Sequence, residues 1–284
     1  MRPSRLERTL GLGATVLILL WIALPLAWLL ISSVSPRDEL LSVPPHWIPQ
    51  QLDFGNYLAI VAPTDATSDV SLGFRAALGN SVSVAGMVTV IGLVVAVPAA
   101  YAFARLPMRW GRTALLAVVA TRMIPAISTV IPLYVVAATF GLLDTKAVLV
   151  ILYLTFVLPF NVWILTGFFE AIPREIEESA RIDGAGRLRV LRSVVLPLSG
   201  PGIAATAIFS FLLAWDEFFF PLIFTSSREA KMVPVAIAEF TGRHAIDFGA
   251  MATGGVLALI PPVLLALAFN RLIVSGLTSG AVKE

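Results

Sequence analysis

The chain has 284 residues, 58% of them hydrophobic and 13% charged, with a mean hydropathy of +0.89. A soluble domain carries about 25% charged residues, so the composition excludes a water-soluble enzyme and predicts an all-α membrane protein whose solvent is largely lipid. The net charge of +2 gives no reason to expect a nucleic-acid partner. The absence of cysteine removes disulfides, a thiolate nucleophile and a cysteine-based metal site, and the two histidines, His46 and His244, lie far apart.

Six apolar runs are long enough to cross a bilayer as helices: about 11–33, 80–103, 113–140, 147–169, 202–224 and 251–273. Together they predict one transmembrane domain over 1–284. Arg2, Arg5 and Arg8 precede the first run, whose apolar core is too long for a cleaved leader, so it is expected to remain as a signal-anchor. Between the first two runs, 34–79 holds prolines and aromatic residues suited to a folded extracytoplasmic loop. The third run contains Arg122, about ten residues or roughly 15 Å along a helix from the cytoplasmic edge. The fifth contains Trp215, Asp216 and Glu217 at comparable depth.

Charge sets the orientation. With the N-terminus in the cytoplasm, thirteen of the twenty lysines and arginines fall on the inner side and six on the outer, Arg122 being buried. This bias predicts that both termini are cytoplasmic.

Between the fourth and fifth runs stands the polar stretch "IPREIEESARIDGAGRLRVLRSVVLPLSGPG", with five arginines and four acids. Pro173 suits a first helical turn, and Glu175, Glu177 and Glu178 follow where the helix dipole favours negative charge. Glu177 and Arg181 have the i, i+4 spacing of an ion pair. Gly184 and Gly186 are expected to end this helix. A second short helix should carry Leu188, Leu191, Val194 and Val195 on one face and Arg187, Arg189 and Arg192 on the other, before Pro197 and Pro201 break the chain. Two short helices at the inner surface make a shape suited to docking, where an interfacial anchor needs no acidic first turn.

Glu178-Ser179-Ala180, three residues, Gly184, nine residues, then Val194-x-Leu196-Pro197 resembles the EAA loop of ABC importer permeases, with Ser for Ala and Val for Ile as the departures. Asp183-Gly184-Ala185 strengthens the match. "NSVSVAG", "AAYAFARL", "IPLYVVAATFGLLDT", "LAWDEFFFPLIFT" and the tail "GLTSGAVKE" extend the likeness over nearly the whole chain, to the carbohydrate-uptake branch and its maltose-transporter-type second permease. There the fifth span usually reads Trp-Asn-Glu, and here it reads Trp215-Asp216-Glu217.

The resemblance implies a coupling loop at 172–201, in which Glu178, Ser179, Ala180, Asp183, Gly184, Ala185, Leu196 and Pro197 contact a cytoplasmic ABC ATPase dimer. It also implies a homologous permease subunit as heterodimer partner, an extracytoplasmic solute-binding protein, a sugar or polyol substrate, and a bacterial or archaeal inner (cytoplasmic) membrane. No catalytic residue or metal ligand is expected. No Walker-type G-x-x-x-x-G-K-[ST] occurs, so this chain is expected to bind no cofactor, with ATP-Mg on the partner ATPase.

A charge at mid-bilayer costs about 3 to 15 kcal/mol unless partnered or wet. Arg122 is therefore expected to pair with Asp216, Glu217 or a partner's acid, either to line a translocation path with Trp215 and Asn80 or as a structural ion pair that locks two helices. The alternative from another class is an ion-coupled secondary transporter with Arg122, Asp216 and Glu217 as a proton relay.

Overall fold

The computed structural model describes residues 5–44, 46–61, 69–241 and 247–281. Arg2, Arg243, His244, Lys283 and the end of the tail from Val282 lie outside these; for Arg271 only the helix is described. The architecture is helical. Four helices are each long and apolar enough to cross a membrane: Arg8–Ser33, Ser71–Arg105, Lys146–Glu170 and Phe248–Phe269. Two more crossings arise if each of two bent pairs counts as one, Gly111–Met123 with Ala126–Thr139 at 89° and Arg187–Leu198 with Gly200–Trp215 at 80°.

The third and fifth expected spans are thus not continuous helices. In the third, Pro125 forces Ile124 into an extended conformation (ψ 119°) and the chain turns before restarting at Ala126. In the fifth, the helix stops at Trp215 and a separate one and a half turns run from Phe219 to Phe224. The Glu217 carboxylate there accepts the backbone N–H groups of Phe219 and Phe220, at 3.3 and 3.0 Å, so a side chain takes the place of helical carbonyls.

The chain forms two compact units. In the first, residues 1–75 with 236–260, Tyr57 Oη donates to Ser33 Oγ (2.7 Å) and Thr253 Oγ1 to the Ser33 carbonyl (3.1 Å). Phe74 and Phe240 meet with ring centres 5.9 Å apart. Gly254 gives them room, since a Cβ there would lie 3.2 Å from the Phe74 ring.

The second unit, 76–235 with 261–284, is built on the helix Lys146–Glu170. Its start is capped by Thr145, whose side chain accepts from Val148 N. Helix Gly200–Trp215 packs on it most intimately at Gly202, and Ser210 Oγ donates to Asn161 Oδ1 across the same interface (2.7 Å). Without a hydrophobic driving force between helices in lipid, such small-residue contacts and buried hydrogen bonds hold spans together.

Candidate functional site

Helix Arg174–Ile182 begins after Pro173, with Glu175 and Glu177 in its first turn. It ends in a Schellman motif: Gly184 has φ +84°, its N–H reaches the Arg181 carbonyl, and the Ala185 N–H reaches the Ala180 carbonyl, both at 3.0 Å. This positive φ is the physical reason for glycine at that position. Gly186 then leads into helix Arg187–Leu198, which contains a π turn at Leu191–Val195 and bends by 80° at Ser199 into Gly200–Trp215.

The second helix differs in detail from the expected apolar face. Leu191 and Val195 are buried, but so is Val190, whereas Leu188 is 60% exposed. The π turn puts an extra residue into the repeat and shifts the buried stripe.

An apolar cluster seats this element on the adjoining ends of two spanning helices. Ala96, Ala100 and Ala104 come from the second-span helix, Val162, Leu165 and Phe169 from helix Lys146–Glu170, and Val190, Leu191 and Val195 from the loop, with Ala180, Ala185 and Leu196 packed alongside. Alanines four apart let the backbones approach closely.

Glu177 does not pair with Arg181. Its side chain turns inward and forms an ion pair with Arg105, both side chains under 10% exposed. Tyr101 Oη donates to the other carboxylate oxygen (3.1 Å), and Arg105 Nη2 donates to the carbonyls of Phe169 and Ile172 (2.7 Å each). Sequence spacing pointed to the neighbour four residues on; the partner actually used lies 72 residues away. The only local hint was an arginine closing the apolar run in "AAYAFARL". Glu178, Ser179, Asp183 and Pro197 are exposed, as is Ile182 at 86%.

The five residues expected on a translocation path do not converge on one site. Arg122, Asp216 and Glu217 line one cavity of about 940 Å³ together with Thr121, Pro125, Thr129, Phe156 and Phe218. Asn80 and Trp215 are buried elsewhere. Asn80 Nδ2 donates to the carbonyls of Arg228 and Lys231 (2.8 and 2.9 Å), and Trp215 stacks on Phe211. Among the described residues no ion pair joins Arg122 to Asp216 or Glu217. The Arg122 guanidinium lies 5.3 Å from the centre of the Phe160 ring, a cation–π contact that needs no carboxylate. A smaller cavity, lined by Arg122, Pro159, Phe160 and Trp163, adjoins it.

Just before helix Lys146–Glu170, Asp144 (φ +57°) accepts the backbone N–H groups of Ser226 and Ser227 at 2.8 and 2.9 Å. Nothing in the local sequence singled it out. The described residues hold no cluster of histidines and acids able to bind a metal ion.

A helical membrane protein with a polar helix pair seated on the ends of its spans and, elsewhere in the same unit, a cavity carrying charged groups has the architecture of a transport permease. Residues 89–279 match the family described as binding-protein-dependent transport system inner membrane component, and the chain belongs to that family of ABC importer permeases. It is 34% identical over 284 residues to the trehalose/maltose transport system permease protein MalG of Thermococcus litoralis, covering 100% of this chain and 99% of that one. It is 36% identical over 269 residues to the trehalose transport system permease protein SugB of Mycobacterium tuberculosis, covering 94% of each. Its fold is similar to a chain of a bacterial ABC transporter involved in the import of the acidic polysaccharide alginate, with a TM-score of 0.79 over 96% of this chain and 99% of that one, at 21% identity.

Proposed function

We propose that this chain is the membrane-spanning subunit through which a sugar or polyol crosses the inner membrane, powered by a separate ATPase dimer that grips the helix pair Arg174–Leu198. The observation that carries the reading is the seating of that pair: its inner face is locked to two spanning helices, while Glu178, Ser179, Asp183 and Ile182 face outward. A lever needs one face fixed to the load and one presented to the motor.

The relatives named for trehalose and maltose support a carbohydrate as cargo. So does the chemistry of the cavity: Arg122, Asp216, Thr121 and Thr129 offer donors and acceptors to hydroxyl groups, and Phe156 and Phe218 offer apolar faces. A homologous permease completes the pathway, and an extracytoplasmic binding protein delivers the substrate. Both chain ends are cytoplasmic. ATP-Mg binds only the partner ATPase, which biases an equilibrium between inward- and outward-open states that differ in their ATPase contacts.

The test is uptake of labelled disaccharides and polyols by proteoliposomes holding this chain, its co-purified permease and ATPase, and the loaded binding protein. ATP-dependent uptake is expected. Gradient-driven uptake by this chain alone would favour the secondary-transporter reading and overturn this one.

A further inference from the structure

Directional bonds between the polar loop and the spans are concentrated at one point, the inner end of the second-span helix. There Arg105 contacts Glu177 through Nε and the carbonyls of Phe169 and Ile172 through Nη2, while Tyr101, one helical turn earlier, holds the second oxygen of Glu177. Three elements meet in these four contacts: helix Asp69–Arg105, the carboxyl end of helix Lys146–Glu170, and the docking helix Arg174–Ile182.

The apolar cluster around Ala96, Ala100 and Ala104 supplies adhesion. Apolar attraction is itself non-directional, so the angle at which the loop meets the spans is set most sharply by the polar contacts. The forked guanidinium sets it because its donors have fixed angles. With both charged side chains under 10% exposed, separating them would leave each charge in a dry site, which is much costlier than keeping them paired. The bonds therefore hold or fail together.

We propose that Tyr101, Arg105 and Glu177 form a permanent clamp that makes the docking helix move as one rigid body with the inner ends of two spanning helices, and that coupling of ATP hydrolysis to transport depends on that rigidity. This rests on the proposed role of the docking helix and deepens it. The three residues are positioning residues; none is assigned contact with substrate or nucleotide.

The chain contains no cysteine, so a Tyr101→Cys/Arg105→Cys/Glu177→Cys series carries only the thiols put there. The complete importer is reconstituted with Arg105→Cys/Glu177→Cys, before and after bridging by a flexible bifunctional thiol reagent. Substrate uptake per ATP hydrolysed is then measured. Without the bridge the ratio is expected to fall at least tenfold, and with the bridge to recover to within about threefold of the unmodified protein. A wild-type ratio without the bridge would overturn the proposal, and so would a bridged protein that hydrolyses ATP but cannot transport, since the clamp would then have to open in each cycle. If the double variant fails to insert, Arg105→Lys and Tyr101→Phe carry the test. Each should lower the ratio about threefold, and wild-type ratios in both would overturn the clamp. Failure of the unmodified chain to recruit any ATPase would defeat the docking role itself, a result distinguishable from either.

Discussion

Gly202 lies against the face of Phe168 so closely that a Cβ at this position would fall 2.5 Å from the ring's Cγ. This is where the helix that follows the docking element meets the most buried span. The absent side chain sets how near the two axes come.

Gly202→Ala should therefore force the Phe168 ring or the backbone to shift, at a cost of about 1–3 kcal/mol typical of overpacking. The expected result is a lower midpoint of thermal unfolding in detergent, with a larger drop for Gly202→Val. Phe168→Ala in the Gly202→Ala background should recover part of the loss.

Gly184 is required for a different reason. Its φ of +84° is one that side-chain-bearing residues adopt only with strain, about 1–2 kcal/mol. Gly184→Ala should insert normally but lose the sharp turn between the two loop helices, lowering ATP-driven uptake several-fold. Gly184→Asn should be milder, because asparagine tolerates this region better. Equal uptake by Gly184→Ala and the unmodified protein would show that the turn is dispensable.

Arg122 and Glu217 line the same cavity yet serve separate ends, the first over Phe160 and the second on the N–H groups of Phe219 and Phe220. Arg122→Ala is expected to reduce uptake at least tenfold, whereas Arg122→Lys keeps a cation over the ring and loses less. An Arg122→Glu/Glu217→Arg exchange should not rescue either single variant. Rescue would mean that the two charges do pair during transport.

Asp144 gives the 226–227 turn a dependence on acid. Burial works to raise its carboxyl, but the backbone and side-chain hydrogen bonds from Ser226 and Ser227 prevail and hold it below the ordinary value of 3.8. A depressed carboxyl contributes stability that is fully present above 3.8 and is lost as pH falls through its folded value. Amide exchange at Ser226 and Ser227, corrected for intrinsic rates, should thus be protected at pH 5–7 and lose protection below about pH 3.8. In Asp144→Asn the protection should be weaker and show no such acid transition.

How far the sequence could be read follows from the range of each signal. The apolar runs, the acidic first turn after Pro173 and the glycine stop at Gly184 are local, and each has its counterpart in the structure. Pro125 was visible as a proline in an apolar run, but an 89° break and a mild kink leave the same mark in sequence. Spacing alone offered Arg181 to Glu177, since the competing Arg105 approaches only after two helices have packed through Ala100 and Ala104. Asn80, expected on the path, is instead spent on two backbone carbonyls of the 228–231 turn, a long-range pairing no local pattern encodes.

The outward face of the docking helix offers the most direct test. Ile182 is 86% exposed at its end, and the chain has no competing thiol. Ile182→Cys carrying a short photoactivatable crosslinker should, in native membranes, capture an ABC ATPase subunit, with a yield that changes when ATP is added. A fully assembled, transport-competent importer in which that position never captures the ATPase would contradict the account.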